Sequence, residues 1–143
     1  MLFGKKKRLI TRLLLVEDEP LVAFDTEHFL RDAGYEVIAT VDRVADALAV
    51  IGASDEIDLV LVDISLADGS GIDVARAAHG AGVPVLFVTG ACPEGGREVA
   101  AGCLSKPYAQ RDLLTAISAI EAVLGGKVPK RLPNGFNLFV DVA

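Results

Sequence analysis

Four apolar runs in this chain end in polar groups that can do chemistry together. Leu13-Leu14-Leu15-Val16 runs into Glu17-Asp18-Glu19, and Ile57-Asp58-Leu59-Val60-Leu61-Val62 ends at Asp63. Val83-Pro84-Val85-Leu86-Phe87-Val88 ends at Thr89, and Cys103-Leu104-Ser105 ends at Lys106-Pro107. If each run is a buried strand, an acidic pair, a lone carboxylate, a hydroxyl and an ammonium stand at the same ends of four strands. Such carboxylates hold a hard divalent cation, while a carboxylate nucleophile, a hydroxyl and an ammonium can accept and stabilise a phosphoryl group. The chemistry implied is a phosphorylation switch. Taken singly, each residue has a plainer reading: Asp63 as a helix cap, Thr89 as a turn hydroxyl, Lys106 as a surface charge. Those readings leave the convergence of four strand ends unexplained.

The elements that must position these groups alternate along the chain. Arg12–Val16 is a predicted strand. Pro20 suits the first turn of a helix running to about Ala33, which Gly34 stops. Tyr35–Val41 is the second strand, and Arg43–Ala53 carries Val44, Ala47, Leu48 and Ile51 at helical spacing. Leu59–Val62 reads as a fully buried strand, and Ser70-Gly71 opens a helix over Ile72–His79. Val83–Val88 is strand four, Gly102–Ser105 a short strand five, and Gln110–Leu124 a final amphipathic helix closed by Gly125-Gly126. Alternating strands and helices with continuous apolar strands imply a parallel sheet covered on both faces. The expected architecture is α/β, a flavodoxin-like doubly wound five-stranded sheet of order 2-1-3-4-5, whose ligand site lies at the carboxyl ends of the strands. The four chemical positions stand there.

Composition agrees with one domain. With 143 residues, 52% of them apolar, the chain can bury a substantial core. Its apolar stretches fall far short of the roughly 20 residues a membrane helix needs, so a soluble, cytoplasmic protein is expected, with no membrane partner. Met1 to Arg12 carries the basic cluster Lys5-Lys6-Lys7-Arg8 without a following secretory pattern, and reads as a solvated arm. From Leu13 to Gly126 there are 6 lysines and arginines against 19 aspartates and glutamates, a balance of −13 that repels nucleic acid. Cys92 and Cys103 have no metal-ligand spacing and no disulfide framework. Cys103 reads as a small buried residue of strand five and Cys92 as a loop residue with no basic neighbour to activate it, while His28 and His79 read as surface positions on helices.

The pieces VEDEP, LVLVDISLADGSG around Asp63, Thr89 after strand four and Lys106-Pro107 after strand five resemble the receiver domain of bacterial two-component response regulators. The resemblance covers roughly Arg12 to Leu124, between a basic arm over 1–11 and a tail over 125–143. It implies that Asp63 is the nucleophile that becomes an aspartyl phosphate. It also implies that Asp18, Asp63 and the backbone carbonyl of Ser65 bind Mg²⁺ directly, with Glu17 acting through water. Lys106 and Thr89 would then receive the phosphoryl oxygens, and a cis bond before Pro107 would help aim Lys106. A phosphohistidine on a sensor histidine kinase or histidine phosphotransfer protein is the implied donor, and a downstream protein the implied listener. Such a protein catalyses its own phosphorylation and dephosphorylation without being an enzyme acting on other substrates.

Two departures from the ordinary receiver stand out. Sixteen residues between Thr89 and Lys106 must hold a loop, a helix, a turn and strand five, and Gly90-Ala91-Cys92-Pro93-Glu94-Gly95-Gly96 spends much of that length on helix-unfriendly types. Helix four is therefore expected to shrink to about one turn over Arg97–Ala101 and to be mobile. Phe87-Val88-Thr89-Gly90 also resembles a receiver subgroup in which glycine follows the switch threonine. The aromatic usual three residues before Lys106 is replaced by Cys103, leaving Tyr108 as a speculative substitute. After Leu124 only a short tail remains, so the expectation is a stand-alone receiver with no DNA-binding domain. Within that tail Phe136, Leu138, Val140 and Val142 nearly alternate with Asn137, Phe139 and Asp141. The proline- and glycine-containing lead-in favours a disordered end. Five apolar side chains in seven residues favour docking on this protein or a partner.

Three other readings compete. A flavodoxin-type cofactor binder would need a hydroxyl- and glycine-rich loop where Glu17-Asp18-Glu19 stands. An aspartate-nucleophile phosphatase resembling the haloacid dehalogenases would need a second acid at Ser65, in Asp63-Ile64-Ser65. A receiver-like interaction module that is never phosphorylated is compatible with every residue named.

Overall fold

A computed structural model describes residues 8–140. Most of the basic arm, including Lys5-Lys6-Lys7, and the end of the tail from Asp141 lie outside the described residues. The expected strands form because their apolar runs are buried on both faces: Leu13 to Val16 and Leu59 to Val62 are each 5% exposed or less. The chain runs β1 (Arg12–Val16), α1 (Pro20–Asp32), β2 (Glu36–Val41), α2 (Val44–Ala53), β3 (Leu59–Val62), β4 (Ser65–Leu66) and β5 (Gly69–Ser70). It continues through α3 (Gly71–Gly80), β6 (Val85–Thr89), a 3-10 turn (Glu94–Gly96), β7 (Gly102–Ser105), α4 (Gln110–Leu124) and β8 (Phe136–Leu138).

The main sheet has the order β2-β1-β3-β6-β7-β8, in which the first five strands are parallel, as the order 2-1-3-4-5 requires. On one face α1 and α4 bring Leu30, Leu113, Ile117 and Ile120 onto Leu13, Leu15, Leu59 and Leu61. On the other, α2 and α3 bring Ala47, Ile51, Val74 and Ala78 onto Leu14, Val16, Val60 and Val62. Pro20 sits in the first turn of α1, where its missing N–H has no helical acceptor to lose. Gly34 follows that helix at φ +97°, a conformation only glycine adopts freely. No helix among the described residues is long and apolar enough to cross a membrane.

The molecule departs from expectation between Thr89 and the tail. The shortened fourth helix is reduced to the 3-10 turn at Glu94–Gly96, and Arg97–Ala101 is not helical. The reason is that Ala101 already belongs to the sheet: its N–H donates to Val85 O at 2.8 Å, and its carbonyl accepts from Phe139 N at 2.8 Å. Cys92 and Cys103 are joined in a disulfide, contrary to the expectation of two unpaired cysteines. Pairing of β6 with β7 sets Cys103 beside Phe87, and the short connection folds Cys92 back over β7. Two cysteines at an arbitrary spacing carry no sign of that closure.

The tail docks. β8 pairs antiparallel with β7, with Phe136 opposite Leu104 and Leu138 opposite Gly102. Phe136 is 7% exposed and joins the α1/α4 face of the core. A Cβ on Gly102 would stand 2.8 Å from its Cε1, so the missing side chain makes room for the ring. The edge that a five-stranded sheet would leave at β7 is thus covered by the chain itself.

Candidate functional site

At the carboxyl end of β1, Glu17 continues the strand, its N–H donating to Val41 O at 2.9 Å. At the end of β3, Asp63 N donates to Val16 O at 3.0 Å, which holds the two strand ends side by side. Glu17, Asp18 and Asp63 each offer a carboxylate oxygen within 4.8 Å of the others. β6 and β7 bring the second half of the set. Thr89 lies opposite Ser105 in register, and Lys106 N donates to Thr89 O at 2.8 Å. From there the Lys106 ammonium donates to Glu17 Oε1 at 2.7 Å and to Asp63 Oδ2 at 2.9 Å. The four strand ends therefore meet around one ammonium and three carboxylates. The peptide bond between Lys106 and Pro107 is cis.

The loop after Asp63 is closed by local bonds. Ser65 N donates to Asp63 Oδ1 at 3.3 Å, and the short hairpin β4–β5 returns the chain to Ser70, whose hydroxyl accepts from Ile72 N to cap α3. Gly71 N donates to Ile64 O at 2.7 Å. The backbone passes so close here that a Cβ on Gly71 would stand 2.0 Å from the Asp63 carbonyl oxygen. Asp68, at the hairpin tip, reaches across to cap α2, accepting from Val44 N at 2.6 Å and Ala45 N at 3.1 Å. Neither the close backbone approach at Gly71 nor the cap supplied by Asp68 is marked in the sequence. A glycine after a serine reads as an ordinary helix start, and a cap supplied by a distant loop leaves no local signal.

The electrostatics follow from burial and pairing. Burial raises the pKa of Glu17, which is 6% exposed, and its bond to Lys106 only partly opposes that. Burial works the other way on Lys106, but its bonds to Glu17 and Asp63 outweigh it and leave the ammonium held above its ordinary value. Three clustered carboxylates facing one ammonium carry an excess of negative charge, and their oxygens are the hard donors that Mg²⁺ accepts through one or two carboxylates and waters. The residues present thus fit the cation that the receiver resemblance implies. Thr89 is buried at the end of β6, and a threonine hydroxyl there is a group that can donate to a phosphoryl oxygen. Tyr108 lines a small cavity with Glu17, Asp63 and Val88, and burial pushes its phenol up against the opposing influence of Thr26. His28 and His79 are exposed, away from this cluster.

Comparison with known proteins agrees with the geometry. The family model for the response regulator receiver domain matches residues 13–118. The chain is 35% identical over 116 residues to the phyllosphere-induced regulator PhyR of Methylorubrum extorquens, covering 77% of this chain and 43% of that protein. It is 35% identical over 117 residues to the sensory transduction protein RegX3 of Mycobacterium tuberculosis, covering 78% and 51%. The chain therefore spans about half the length of the curated relatives it matches. A crystal structure of a response regulator receiver protein from Sinorhizobium medicae superposes with a TM-score of 0.68 at 28% identity, covering 78% of this chain and 94% of that one. A CheY-like receiver domain from Methanospirillum hungatei gives 0.69 at 29%, covering 76% and 91%. With the strand order, the acidic cluster and the lysine bridge already in place, these matches establish that the chain belongs to the response regulator receiver domain family.

Proposed function

We propose that the chain is a phosphoacceptor in which Asp63 takes a phosphoryl group from a phosphohistidine on a sensor histidine kinase or histidine phosphotransfer protein. The observation that carries this reading is the single ammonium of Lys106 shared between Glu17 and Asp63 inside a three-carboxylate cluster. An Asp63 oxygen attacks phosphorus, the phosphorus–nitrogen bond to the donor imidazole breaks, and a mixed anhydride remains on the chain. Lys106 then turns from the free carboxylate to an oxygen of the transferred group, and Thr89 donates its hydroxyl to another. Asp18, Asp63 and the Ser65 carbonyl would hold Mg²⁺, with Glu17 acting through water; the bound cation supplies positive charge that lets a phosphate approach the acids. Loss of the phosphoryl group to water resets the site. The message passes to a downstream protein that distinguishes the two forms, and the reaction belongs in the cytoplasm, where such donors work.

The test is incubation with a small-molecule phosphodonor and Mg²⁺, followed by intact mass and site mapping. One phosphoryl group on Asp63 is expected, no labelling in Asp63→Asn, and weaker metal binding in Asp18→Asn, read as a higher Mg²⁺ concentration needed for labelling. Full labelling of Asp63→Asn, or none of the native chain, overturns the assignment; the latter result favours a receiver-like interaction module that is never phosphorylated.

A further inference from the structure

The disulfide between Cys92 and Cys103 lies at a position that concerns the switch directly. Cys92 is three residues beyond Thr89, and Cys103 is three residues before Lys106. The bond therefore ties the loop that leaves Thr89 to the body of β7, the strand that delivers Lys106 to Asp63. The two Cα atoms are 6.0 Å apart, within the ordinary range for such a link. It closes the segment that would hold the fourth helix of the fold and that has only a 3-10 turn of its own. Cys103 is fully buried in β7, while Cys92 is half-buried with the Ser105 hydroxyl 3.6 Å from its sulfur. Cys92 is thus the member of the pair nearer solvent, and attack by a reagent would begin there.

We propose that Cys92 and Cys103 form a reversible thiol–disulfide lock on residues 90–101, which restrains the approach of Thr89 to Asp63 when closed and releases it when reduced. The oxidant is a low-molecular-weight disulfide. The Cys92 thiolate attacks one of its sulfurs, forming a mixed disulfide and expelling one thiolate. The Cys103 thiolate then attacks the Cys92 sulfur and expels the second. The two protein sulfurs are oxidised, the two reagent sulfurs are reduced, and the protons of both cysteines end on the departing thiols. Reduction by a dithiol runs the same steps backwards, beginning at the Cys92 sulfur. Paired cysteines in a compartment that keeps thiols reduced are characteristically transient or redox-sensing, which suits a lock placed on a signalling switch. The lock concerns the fold alone, whereas its effect on signalling rests on Asp63 being the phosphoacceptor.

The experiment compares the full chain in its oxidised and reduced forms. Mass spectrometry under non-reducing conditions should show the loss of two hydrogens on treatment with the small disulfide, abolished in Cys92→Ser. Amide exchange across 90–101 should be slower in the oxidised form by about tenfold. Phosphoryl labelling by a small phosphodonor should be faster in the reduced form by about fivefold. Cys92→Ser should label at the reduced rate whatever the redox buffer, and comparison of the two forms of the native chain needs no substitution that could disturb folding. Failure of the disulfide to form, or equal exchange in both forms, overturns the lock. Equal labelling rates overturn its effect on signalling while leaving the phosphoacceptor reading standing. No labelling in either form overturns that reading and the gating with it, while exchange still decides the lock.

Discussion

The two halves of the site are built by different means. On the side of β1 and β3, backbone bonds between neighbouring strand ends and a closed hairpin fix Glu17 and Asp63, and Gly71 lies against the Asp63 carbonyl. On the side of β6 and β7, the connection has one 3-10 turn and is held at a few separate points. The Cys92–Cys103 link, the Arg97 guanidinium 4.6 Å from the Phe139 ring, and the docking of β8 all act there. The difference teaches that the acids are fixed by continuous backbone bonding and close backbone packing, whereas the segment that follows Thr89 is held at a few discrete side-chain points and by the docked tail. Segments held in the second way open at lower cost, and switches are drawn from them.

The largest effect should come from disturbing the fixed half. Gly71→Ala would drive a methyl into the Asp63 carbonyl, and neither backbone can yield without shifting the β3–α3 connection. A loss of about 3 kcal/mol in unfolding free energy is expected, at the upper end of ordinary overpacking. Chemical denaturation reads it, and a loss under 1 kcal/mol would mean that the acid-bearing loop is softer than the comparison allows.

Removing an apolar anchor of the assembled half comes next. Phe136→Ala should cost about 2 kcal/mol, below the usual range for a phenylalanine in a core because the ring lies at a sheet edge. Amide protection of β7 should fall with it, and unchanged melting and exchange would show that β8 adds nothing to the sheet. Deleting Pro133 to Ala143 should reproduce the loss.

How much of this could be read from residues alone divides along the same line. The five parallel strands, their order, the bounds of α4 and the placing of Glu17, Asp63, Thr89 and Lys106 at strand ends were legible, because continuous apolar runs and strand-end chemistry are local signals. The β4–β5 hairpin was not, since strands of two residues have no periodicity. Neither was the disulfide, which exists only because β6–β7 pairing carries Cys103 under the loop. The alternating tail supported both docking and disorder, and the choice was made by a free sheet edge and the space that Gly102 leaves for Phe136.

A smaller, pH-dependent effect sharpens the description of the fixed half. Asp58, just before β3, accepts from Thr11 N at 2.9 Å, Thr11 Oγ1 at 3.0 Å and Arg12 N at 2.9 Å, pinning the start of β1 to that of β3. Burial alone would raise its pKa, but these bonds outweigh burial and lower it from 3.8. A depressed carboxyl contributes stability above its unfolded value, and that contribution disappears as pH falls through the folded value. Asp58→Asn should therefore cost about 1 kcal/mol near neutrality, modest because the group is part-exposed, and its deficit should close in acid. A deficit of equal size at all pH values would show that the carboxylate charge is not what pins the strands.

The smallest effects are expected inside the assembled half, and they separate its slack from its tethers. A Cβ on Gly90 or Gly95 would meet nothing within 4 Å, and neither residue has a positive φ. Gly95→Ala should leave the folded segment undisturbed and narrow the unfolded ensemble, raising stability by about 0.5 kcal/mol. Gly96, one residue on, is buried, and its Cβ would stand 2.6 Å from Phe87 Cε2, so Gly96→Ala should destabilise instead. The contrast between adjacent glycines tests whether residues 90–101 are held at discrete points rather than loose throughout. If both substitutions prove neutral, Gly96 is no tether, and the contacts that assemble this half reduce to the disulfide, the Arg97–Phe139 contact and β8.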